Sequence, residues 1–279
     1  IFASKNQGEV NHITGDVHYI AMLLAKNKTI LTIHDLVALK RSKGLKHKII
    51  KFFWYTLPVR NVRYVTVISK NTRKELLESV KMDPEKIVVI HDCVSPEIKY
   101  KPKEFNKEEP NILQMGTGHN KNLENIIRAI EGMNVKLTIL GRLRNHQIDM
   151  LEEYQINFEN HSNIPYSKVM ELYQKADLVT FVSTYEGFGL PIIEANATGR
   201  PVIAGDNTSM PEVAGDAAVL ADPYNVEEIK RYIEKIIKDD EFRESLIRKG
   251  LENIKRFSPN FIASQYAELY KKIISKNDV

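Results

Sequence analysis

Two glutamates, Glu186 and Glu194, bracket the segment EGFGLPIIE, in which two glycines precede an apolar run. The segment joins the strand-like run 178–182 to the helix-like run 192–197. A glycine turn that opens onto a helix directs backbone N–H groups and the positive end of the helix dipole toward one point. This pattern predicts an anion site of phosphate size, with one carboxylate before it and one after it.

The elements that must position these residues follow a βαβ rhythm, which is typical of an α/β fold with parallel sheets. In the first half, strands are predicted at 29–33, 64–68 and 87–90, and helices at 46–57 and 72–80. In the second half, strands are predicted at 111–115, 135–140, 156–158, 178–182, 201–204 and 218–220. Its helices are predicted at 123–131, 147–153 and 167–175, and three more begin at Val226, Asp240 and Pro259. Ligands of such sheets bind at the carboxyl ends of the strands.

A change of composition separates the two halves. Residues 99–110 read KYKPKEFNKEEP, a charged stretch with two prolines that predicts an interdomain linker. We therefore expect two Rossmann-like domains that face a cleft, the first at 1–104 and the second at 105–258. The last helix, within 259–279, is expected to return toward the first domain.

Composition argues against several classes of function. The formal charge of +4 over 279 residues is too small to indicate a nucleic-acid partner. A single cysteine, Cys93, excludes an intrachain disulfide framework and favours a cytoplasmic location. No two histidines are separated by two or three residues, and no Asp-x-Asp pair occurs. We therefore expect chemistry without a metal ion or a resident cofactor.

One segment combines positive charge with aromatic side chains. Six basic residues and no acidic one occur from Lys40 to Lys51, and Phe52-Phe53-Trp54-Tyr55 follows directly. This pattern is typical of a segment that lies on an anionic membrane surface, here the inner face of the membrane. The alternative is a solvated basic helix whose aromatic side chains face the core. No apolar stretch approaches the roughly 20 residues of a membrane span, so we expect a soluble or peripheral protein.

Residues 176–223 resemble the donor-binding half of retaining glycosyltransferases with two Rossmann domains, the GT-B class, and in particular the GT4 (group 1) family. The likeness includes the Glu-x7-Glu pair, the turn Gly199-Arg200-Pro201-Val202 and the step Pro211-Glu212-Val213. A Glu-x7-Glu pair alone is common, whereas this longer context is specific. The resemblance implies a metal-independent hexosyltransferase of polysaccharide biosynthesis, with a nucleoside-diphosphate sugar as donor and a glycan or lipid-linked acceptor.

The resemblance also implies roles for residues. Glu186 would face the donor sugar, and Glu194 would accept hydrogen bonds from the ribose hydroxyls. For Glu194, the alternative is a carboxylate in the first helical turn, where the helix dipole favours it. The loop 163–166 corresponds by position to the one whose backbone reads the nucleotide base, and a simple helix start is the alternative. The expected donor contacts are Gly116, Thr117, Asn120, Arg142, Ile164, Gly187, Phe188, Gly189, Leu190 and Glu194.

The segment MGTGHNKNLE at 115–124 resembles the first donor loop of the family, where a lysine neutralises the diphosphate, and Lys121 occupies that position. A leaving diphosphate gains charge as the glycosidic bond breaks, so a fixed cation stabilises the transition state more than the ground state. Relatives often place an arginine nearby, where this chain has Asn120 and Thr117. Arg142 is the candidate replacement, and a surface arginine is the alternative.

In the first half, the sequence Ile33-His34-Asp35-Leu36 at a strand end resembles the His-Asp element of the family. His34 would bond to a hydroxyl of the transferred sugar or of the acceptor, and a loop-packing histidine is the alternative. The segment HITGDVHY at 12–19 is a weaker candidate for the acceptor side. Ser69 resembles a serine of the family that starts a helix, and an N-cap explains it without a catalytic role.

The resemblance is incomplete at the start of the chain. Relatives begin with a strand, a glycine-rich loop and a helix, whereas this sequence begins Ile-Phe-Ala-Ser, so we expect a first domain truncated at its amino end. Three functions stay open: a retaining glycosyltransferase, a truncated or degenerate homologue that binds a sugar nucleotide without transfer, and a nucleotide-sugar epimerase. The epimerase would need further acid–base residues that the sequence does not place.

Overall fold

The computed structural model describes residues 2–275 and divides them into two compact units. The first unit combines residues 2–92 with residues 260–275, and the second contains residues 93–259. Residue 1 and residues 276–279, at the outer ends of the predicted domains, lie outside the described residues. The strands of each unit pair in parallel, which confirms the α/β class predicted from the alternating pattern. Over the described range, no helix combines the length and the apolar composition that crossing a bilayer requires.

The first unit contains a four-stranded sheet. Its strands are β1 (Asn11–Ile13), β2 (Thr29–Ile33), β3 (Tyr64–Val67) and β4 (Ile87–Val89), and they lie in this order. Its helices before the second unit are α1 (Phe2–Lys5), α2 (Val37–Arg41), α3 (Gly44–Ile50), α4 (Leu57–Arg60) and α5 (Lys70–Ser79). A π-helical segment, Lys51–Thr56, joins α3 to α4, and 3₁₀ turns cover His18–Leu23, Lys26–Lys28 and Pro84–Lys86. Every residue of β2 is buried, as expected for an apolar central strand of a parallel sheet.

The second unit contains a six-stranded sheet. Its strands are β5 (Asn111–Met115), β6 (Lys136–Leu140), β7 (Asn157–His161), β8 (Leu178–Phe181), β9 (Val202–Gly205) and β10 (Val219–Ala221). Its helices are α6 (Leu123–Ala129), α7 (Asn145–Glu153), α8 (Tyr166–Lys175), α9 (Leu190–Thr198), α10 (Met210–Ala214), α11 (Val226–Lys238) and α12 (Asp240–Asn253), with 3₁₀ turns at His119–Lys121 and Ile254–Phe257. Helix α13 (Pro259–Ile274) ends the described chain.

The order of the strands creates a switch point in the second sheet. The order is β10-β9-β8-β5-β6-β7, so the chain runs outward from β5 in one direction and outward from β8 in the other. β5 and β8 are hydrogen-bonded neighbours. Open α/β sheets bind ligands outside the carboxyl ends of the strands at such a point.

The boundary between the two units lies at Asp92. Composition predicted a boundary near residue 104. Residues 93–110 belong to the second unit because polar bonds fix them there. The buried Arg200 donates to Lys101 O (3.0 Å), and Val94 N donates to Phe257 O (3.0 Å). The stretch with two prolines is therefore a strap along the second unit and not a free linker.

Helix α13 contributes to the core of the first unit. Its side chains Ile262, Leu269 and Ile273 are buried together with Ile30 and Ile90 of that unit. The core of the first unit is therefore built from two segments that are far apart in sequence, whereas the second unit is one continuous segment.

Candidate active site

Lys121 and Glu186 meet at the switch point of the second sheet. Lys121 follows β5 and Glu186 follows β8, so the parallel register brings both residues to the carboxyl edge of the sheet. Lys121 Nζ lies 2.7 Å from Glu186 Oε1, and the two side chains are 26% and 14% exposed. Because both groups are partly buried, salt screens this pair less than an exposed surface pair. The structure thus joins two of the residues that the sequence singled out.

Three neighbouring residues fix the position of Lys121. Gly116 has φ +96°, and a Cβ at this position would lie 2.8 Å from Lys121 Cγ. The ammonium group lies 4.7 Å from the centre of the Phe181 ring, within the range of a cation–π contact. Gln114 Nε2 donates to Lys121 O (2.9 Å), which fixes the backbone. The glycine is therefore needed both for its backbone conformation and for the space that the lysine occupies.

Two asparagines tie the loop after β5 to the loop after β8. Asn120 Nδ2 donates to Tyr185 O (3.1 Å) and to Glu186 Oε1 (3.2 Å). Asn122 is buried with φ 60°, and its Nδ2 donates to Val182 O (3.0 Å) and Pro223 O (2.7 Å). The sequence predicted Asn120 but missed Asn122. Its signal was an asparagine directly before an apolar helix, a residue type that tolerates the left-handed conformation.

The loop after β9 fixes the backbone around Glu186. Ser209 Oγ lies within hydrogen-bonding distance of two carbonyl oxygens, Glu186 O at 3.0 Å and Phe188 O at 2.7 Å, and can donate to either. Glu186 N donates to Thr208 Oγ1 (3.2 Å). Sequence reasoning missed both hydroxyl residues. The sequence feature that could have indicated them is their position after β9, whose carboxyl end lies at the same edge of the sheet as those of β5 and β8.

Helix α9 begins at Leu190, four residues after Glu186. Gly189 has φ +119° and precedes the first helical residue, Leu190, and Ile192 N donates to Gly189 O (2.9 Å). A side chain at Gly189 would need a backbone conformation that L-residues rarely adopt. Phe188 is buried, and Leu190 is exposed. The amino end of α9, with its partial positive charge, thus follows the carboxylate closely in sequence.

Glu194 accepts hydrogen bonds from two tyrosines. Tyr166 Oη donates to Glu194 Oε1 (3.0 Å), and Tyr173 Oη donates to Glu194 Oε2 (2.7 Å). Burial, then the Glu194 charge, raises the pKa of Tyr166 to about 12 and the pKa of the fully buried Tyr173 well above its usual value. Both phenols therefore stay protonated donors at neutral pH. The first turn of α9 contains no acidic residue, so the helix dipole does not explain Glu194.

Tyr173 was also missed by sequence reasoning. Tyr166 and Tyr173 are seven residues apart on α8, which places them on one face of the helix. This spacing was the available signal, but it carries no indication of a carboxylate partner. Each oxygen of Glu194 keeps one further lone pair with which it can accept a hydrogen bond from a hydroxyl group.

The remaining predicted donor contacts lie in loops at the same edge of the sheet. Thr117 is buried, and its Oγ1 donates to Arg142 O (2.7 Å), which joins the loops after β5 and β6. Arg142 is exposed, in agreement with the surface-arginine alternative. Ile164 is half-buried in the loop after β7, next to Asn163 with φ 54°. The structure thus shows a structural bond for Thr117, and Arg142 and Ile164 stay predictions.

His34 belongs to the first unit, at the carboxyl end of β2. Its Nε2 lies 2.8 Å from Thr14 O, and since a carbonyl only accepts, Nε2 carries the proton. In the neutral ring, Nδ1 then keeps a lone pair, for which residues 2–275 supply no partner. His34 can therefore accept a hydrogen bond from a hydroxyl group.

Two other histidines lie near this strand end. His12 contacts Tyr270 Oη and Thr32 Oγ1, each at 2.7 Å, and the buried His18 donates from Nδ1 to Trp54 O (2.9 Å). Burial is the largest cause that lowers the pKa of both histidines, and for His18 it outweighs the opposite effects of the bond to Trp54 O and of the Asp16 charge. The segment 12–19 therefore contributes neutral, hydrogen-bonded imidazoles at neutral pH.

Comparisons with known proteins agree with this geometry. A family model for glycosyl transferases group 1 matches residues 96–253, and one for Glycosyltransferase Family 4 matches residues 10–98. O-antigen chain mannosyltransferase B of Escherichia coli is 41% identical over 108 residues, which are 39% of this chain and 28% of that protein. O-antigen chain mannosyltransferase RfbU of Salmonella typhimurium is 25% identical over 255 residues, 86% of this chain and 70% of the relative.

Solved structures share the fold at low sequence identity. Sucrose-phosphate synthase from Thermosynechococcus elongatus matches with a TM-score of 0.76 and 20% identity, over 89% of this chain and 68% of the other. Anabaena HepE, in a complex with UDP-glucose, matches with a TM-score of 0.80 and 16% identity, over 95% and 79% of the two chains. At these identities the likeness shows a common fold of two parallel α/β sheets.

Proposed function

Because the chain belongs to the group 1 glycosyl transferases, we propose that it transfers a hexose from a nucleoside-diphosphate sugar to a glycan or lipid-linked acceptor. The observation that carries this proposal is the Lys121–Glu186 ion pair at the switch point of the second sheet. Ligands of doubly wound sheets bind at this point. The amino end of α9 follows, so the site offers a diphosphate both a cation and a helix terminus.

The diphosphate would lie between Lys121 and the backbone of residues 187–190. Glycines at 187 and 189 allow the chain to approach oxygen atoms that a side chain would block. Lys121 would stabilise the negative charge that the diphosphate gains as the glycosidic bond breaks. Arg142 is the second cation in this proposal, because its loop is bonded to the Lys121 loop through Thr117.

The two glutamates would act on different parts of the donor. Glu186, already oriented by Lys121 and Asn120, would accept hydrogen bonds from the transferred sugar. Glu194, oriented by its two tyrosines, would accept hydrogen bonds from the ribose. The backbone of Ile164, after β7, would contact the base.

Transfer would proceed with retention of configuration and without a metal ion or a resident cofactor. The acceptor hydroxyl would attack the anomeric carbon from the face that the diphosphate leaves. The C–O bond to the diphosphate breaks as the bond to the acceptor oxygen forms, and a diphosphate oxygen takes the hydroxyl proton. No dedicated base is then required, and Nδ1 of His34 would accept a hydrogen bond from a sugar or acceptor hydroxyl.

The named relatives indicate which substrates to test first. The Escherichia coli and Salmonella typhimurium proteins are O-antigen chain mannosyltransferases. Mannose nucleotides and growing cell-surface polysaccharides are therefore the first donors and acceptors to assay. We also place the protein on the cytoplasmic side of the membrane, since its single cysteine suits a reducing compartment.

Calorimetry with UDP, GDP and ADP tests the donor site. We expect one of these diphosphates to bind, and Lys121→Gln to weaken its binding and to lower turnover on the order of 100-fold. Lys136→Gln is the matched control, because Lys136 also pairs with a glutamate, Glu159 (2.5 Å), but lies at the amino end of β6. Equal effects of the two substitutions, or no diphosphate binding, would contradict the proposed site.

Product analysis separates a transferase from a protein that only binds the donor. Purified protein would be incubated with the sugar nucleotide that binds, labelled in the sugar, and with polysaccharide or lipid-linked acceptors. Transfer of label with an unchanged anomeric configuration supports the proposal. Binding without transfer to any acceptor would instead support the homologue that holds a sugar nucleotide without chemistry.

A further inference from the structure

The surface of the first unit contains a row of exposed apolar side chains on one continuous helix, formed by α3, the π-helical segment and α4. Leu45 is 73% exposed, and Phe52 and Phe53 are each 45% exposed. Ile49 and Trp54 are also exposed. We call the five side chains Leu45, Ile49, Phe52, Phe53 and Trp54, with the basic residues that flank them, the basic–aromatic face.

Helical spacing explains how this face forms. Leu45, Ile49 and Phe52 follow each other at intervals of four and three residues, so they lie along one side of the helix. The opposite side is buried at Tyr55, Pro58 and Val59. Of the aromatic run 52–55, only Tyr55 is buried, so the alternative that these aromatic side chains face the core is wrong for the other three.

The charges around the row have one sign and are not neutralised within the protein. Arg41, Lys43, Lys46, Lys48 and Lys51 flank or interleave with the apolar side chains, and among residues 2–275 no carboxylate forms an ion pair with them. Lys40 differs, because it pairs with Glu75 at 2.5 Å. The face therefore combines exposed apolar groups with uncompensated positive charge, a combination that fits an anionic lipid surface.

We propose that the basic–aromatic face docks reversibly on an anionic lipid bilayer. The helix would lie in the plane of the membrane, with Leu45, Ile49, Phe52 and Phe53 at the boundary between headgroups and acyl chains. The lysines would lie at the lipid phosphates. A second copy of this chain does not fit the face, since two faces of the same positive charge repel each other. The inference uses residues of the first unit alone, so it is independent of the proposed donor site.

The only tryptophan of the chain reports on this face directly. Trp54 is 37% exposed, its Nε1 donates to Asp16 O (3.1 Å), and its ring lies 5.7 Å from that of Tyr19. We therefore expect the emission of a fixed, partly hydrated indole next to the apolar row. Entry of the row into lipid would remove water from the indole and shift its emission to shorter wavelength.

The test is tryptophan fluorescence of the full chain with vesicles of phosphatidylcholine, alone or mixed with phosphatidylglycerol. We expect a blue shift only with the mixed vesicles, loss of this shift in high salt, and quenching by lipids brominated along the acyl chain. Equal shifts with both vesicle types, or no shift with either, would overturn the proposal. Co-sedimentation of the protein with the vesicles gives the partition coefficient.

Variants separate charge from apolar contact. The triple variant Lys43→Gln, Lys46→Gln, Lys48→Gln should reduce the partition coefficient roughly 100-fold. The control is the triple variant Lys238→Gln, Arg248→Gln, Lys249→Gln, which removes three exposed charges from the second unit. It should change the partition coefficient by no more than about twofold. Phe52→Ser with Phe53→Ser should retain weak, salt-sensitive binding but abolish quenching by brominated lipid. A control triple variant as weak as the first would show that net charge, and not this face, governs binding.

Discussion

Lys121 and Glu186 each determine the orientation of the other, so a change that displaces one affects both. The lysine packs against the open side of Gly116, where a Cβ would lie 2.8 Å from Lys121 Cγ. The position of this cation in the candidate site therefore depends on a residue without a side chain of its own.

Gly116→Ala should disable the site without unfolding the protein. We expect turnover with the sugar nucleotide to fall on the order of 100-fold, because the methyl group displaces Lys121. Gly132→Ala is the matched control, since Gly132 also has a positive φ (+73°) but would place its Cβ in open space. Both variants should lose roughly 1 kcal/mol of unfolding free energy from backbone strain. Equal turnover in the two variants would show that the contact with Lys121 is unimportant.

Tyr173→Phe should weaken recognition of the ribose. The substitution removes the hydrogen bond from Tyr173 Oη to Glu194 Oε2 (2.7 Å). We expect the preference for a ribonucleoside diphosphate over its 2′-deoxy analogue to fall about fivefold by calorimetry, because Glu194 loses its fixed orientation. Tyr154→Phe, at the residue that directly follows α7, should leave the preference unchanged. A loss of affinity that is equal for both nucleotides would indicate a general structural role for Tyr173.

His18 should make the first unit less stable in mild acid. Burial lowers the pKa of His18 below its unfolded value of 6.5, so the unfolded state takes up the proton first. Its contribution to stability is therefore complete above pH 6.5 and is lost as the pH falls below that value. Thermal unfolding at about pH 7.5 and about pH 5.5 should show a drop that is smaller in His18→Gln. An identical drop in the variant would assign the effect to other groups.

At the scale of elements, the side chain of Arg200 ties the strap to helix α8. Arg200 is buried, and besides Lys101 O it bonds to Tyr173 O (3.1 Å) and Gln174 O (2.7 Å). These two carbonyl groups lie in the last turn of α8, where a cation is favoured by the helix dipole. The turn Gly199-Arg200-Pro201-Val202 thus has a second structural role, besides leading into strand β9.

Arg200→Met should destabilise the second unit by about 2 kcal/mol, since four carbonyl groups, those of Lys101, Tyr173, Gln174 and Gly199, lose their donor. Urea unfolding followed by far-ultraviolet circular dichroism measures the change. Arg231→Met, on the exposed side of α11, should change stability by less than about 0.5 kcal/mol, because its guanidinium forms a 3.5 Å pair with Glu228 and contacts the Tyr232 ring but bonds to no buried carbonyl group of the described residues. Limited proteolysis should also cut the strap faster in Arg200→Met, and unchanged cleavage would contradict this role.

The sequence predicted most elements because their signals are local. The strands 29–33 and 111–115 have the predicted bounds, and α11 begins at Val226, where Asn225 Oδ1 accepts from Glu228 N (3.1 Å). For the three-residue strand β1 the sequence predicted only a strand end near the segment 12–19, without bounds, and it did not predict the π-helical segment. A strand of three residues is too short to show a period, and a π-helical turn depends on packing that the local pattern does not contain.

The candidate site was predictable in part for the same reason. Gly116, Lys121, Glu186 and Gly189 lie in loops between a strand and a helix, which the pattern identifies. The contacts of Glu194 with Tyr173, and of Ser209 with the loop 186–188, join separate segments at one sheet edge. Such contacts depend on the order of strands in the sheet, and the local sequence does not specify that order.

At the scale of the whole molecule, each unit has its own core, so core substitutions should act on one unit only. Ile273→Ala on α13 removes a side chain that packs in the core of the first unit. Ile233→Ala on α11 does the same in the second. We expect losses of about 2–5 kcal/mol, each confined to hydrogen exchange of its own unit. Loss of protection in both units from one substitution would contradict separate cores.

Composition predicted that the chain divides near residue 104, and the two compact units of the structure meet in sequence at Asp92 and Cys93. Charge and proline content identified residues 99–110 as different from their surroundings. The bond from Lys103 to the buried Asp177, and the bonds of Arg200, hold this segment to the second unit. Composition reports a lack of apolar side chains and does not reveal polar bonds of this kind.

The return of α13 to the first unit has a consequence for synthesis on the ribosome. The second unit, residues 93–259, is continuous and can fold as soon as it emerges. Synthesis of the first unit begins earlier, but Ile30 and Ile90 lack their packing partners Ile262 and Leu269 until helix α13 has been made. At the usual rate of translation that interval is on the order of ten seconds. The half made first is therefore the half completed last, and chaperones have most opportunity to bind its nascent sheet.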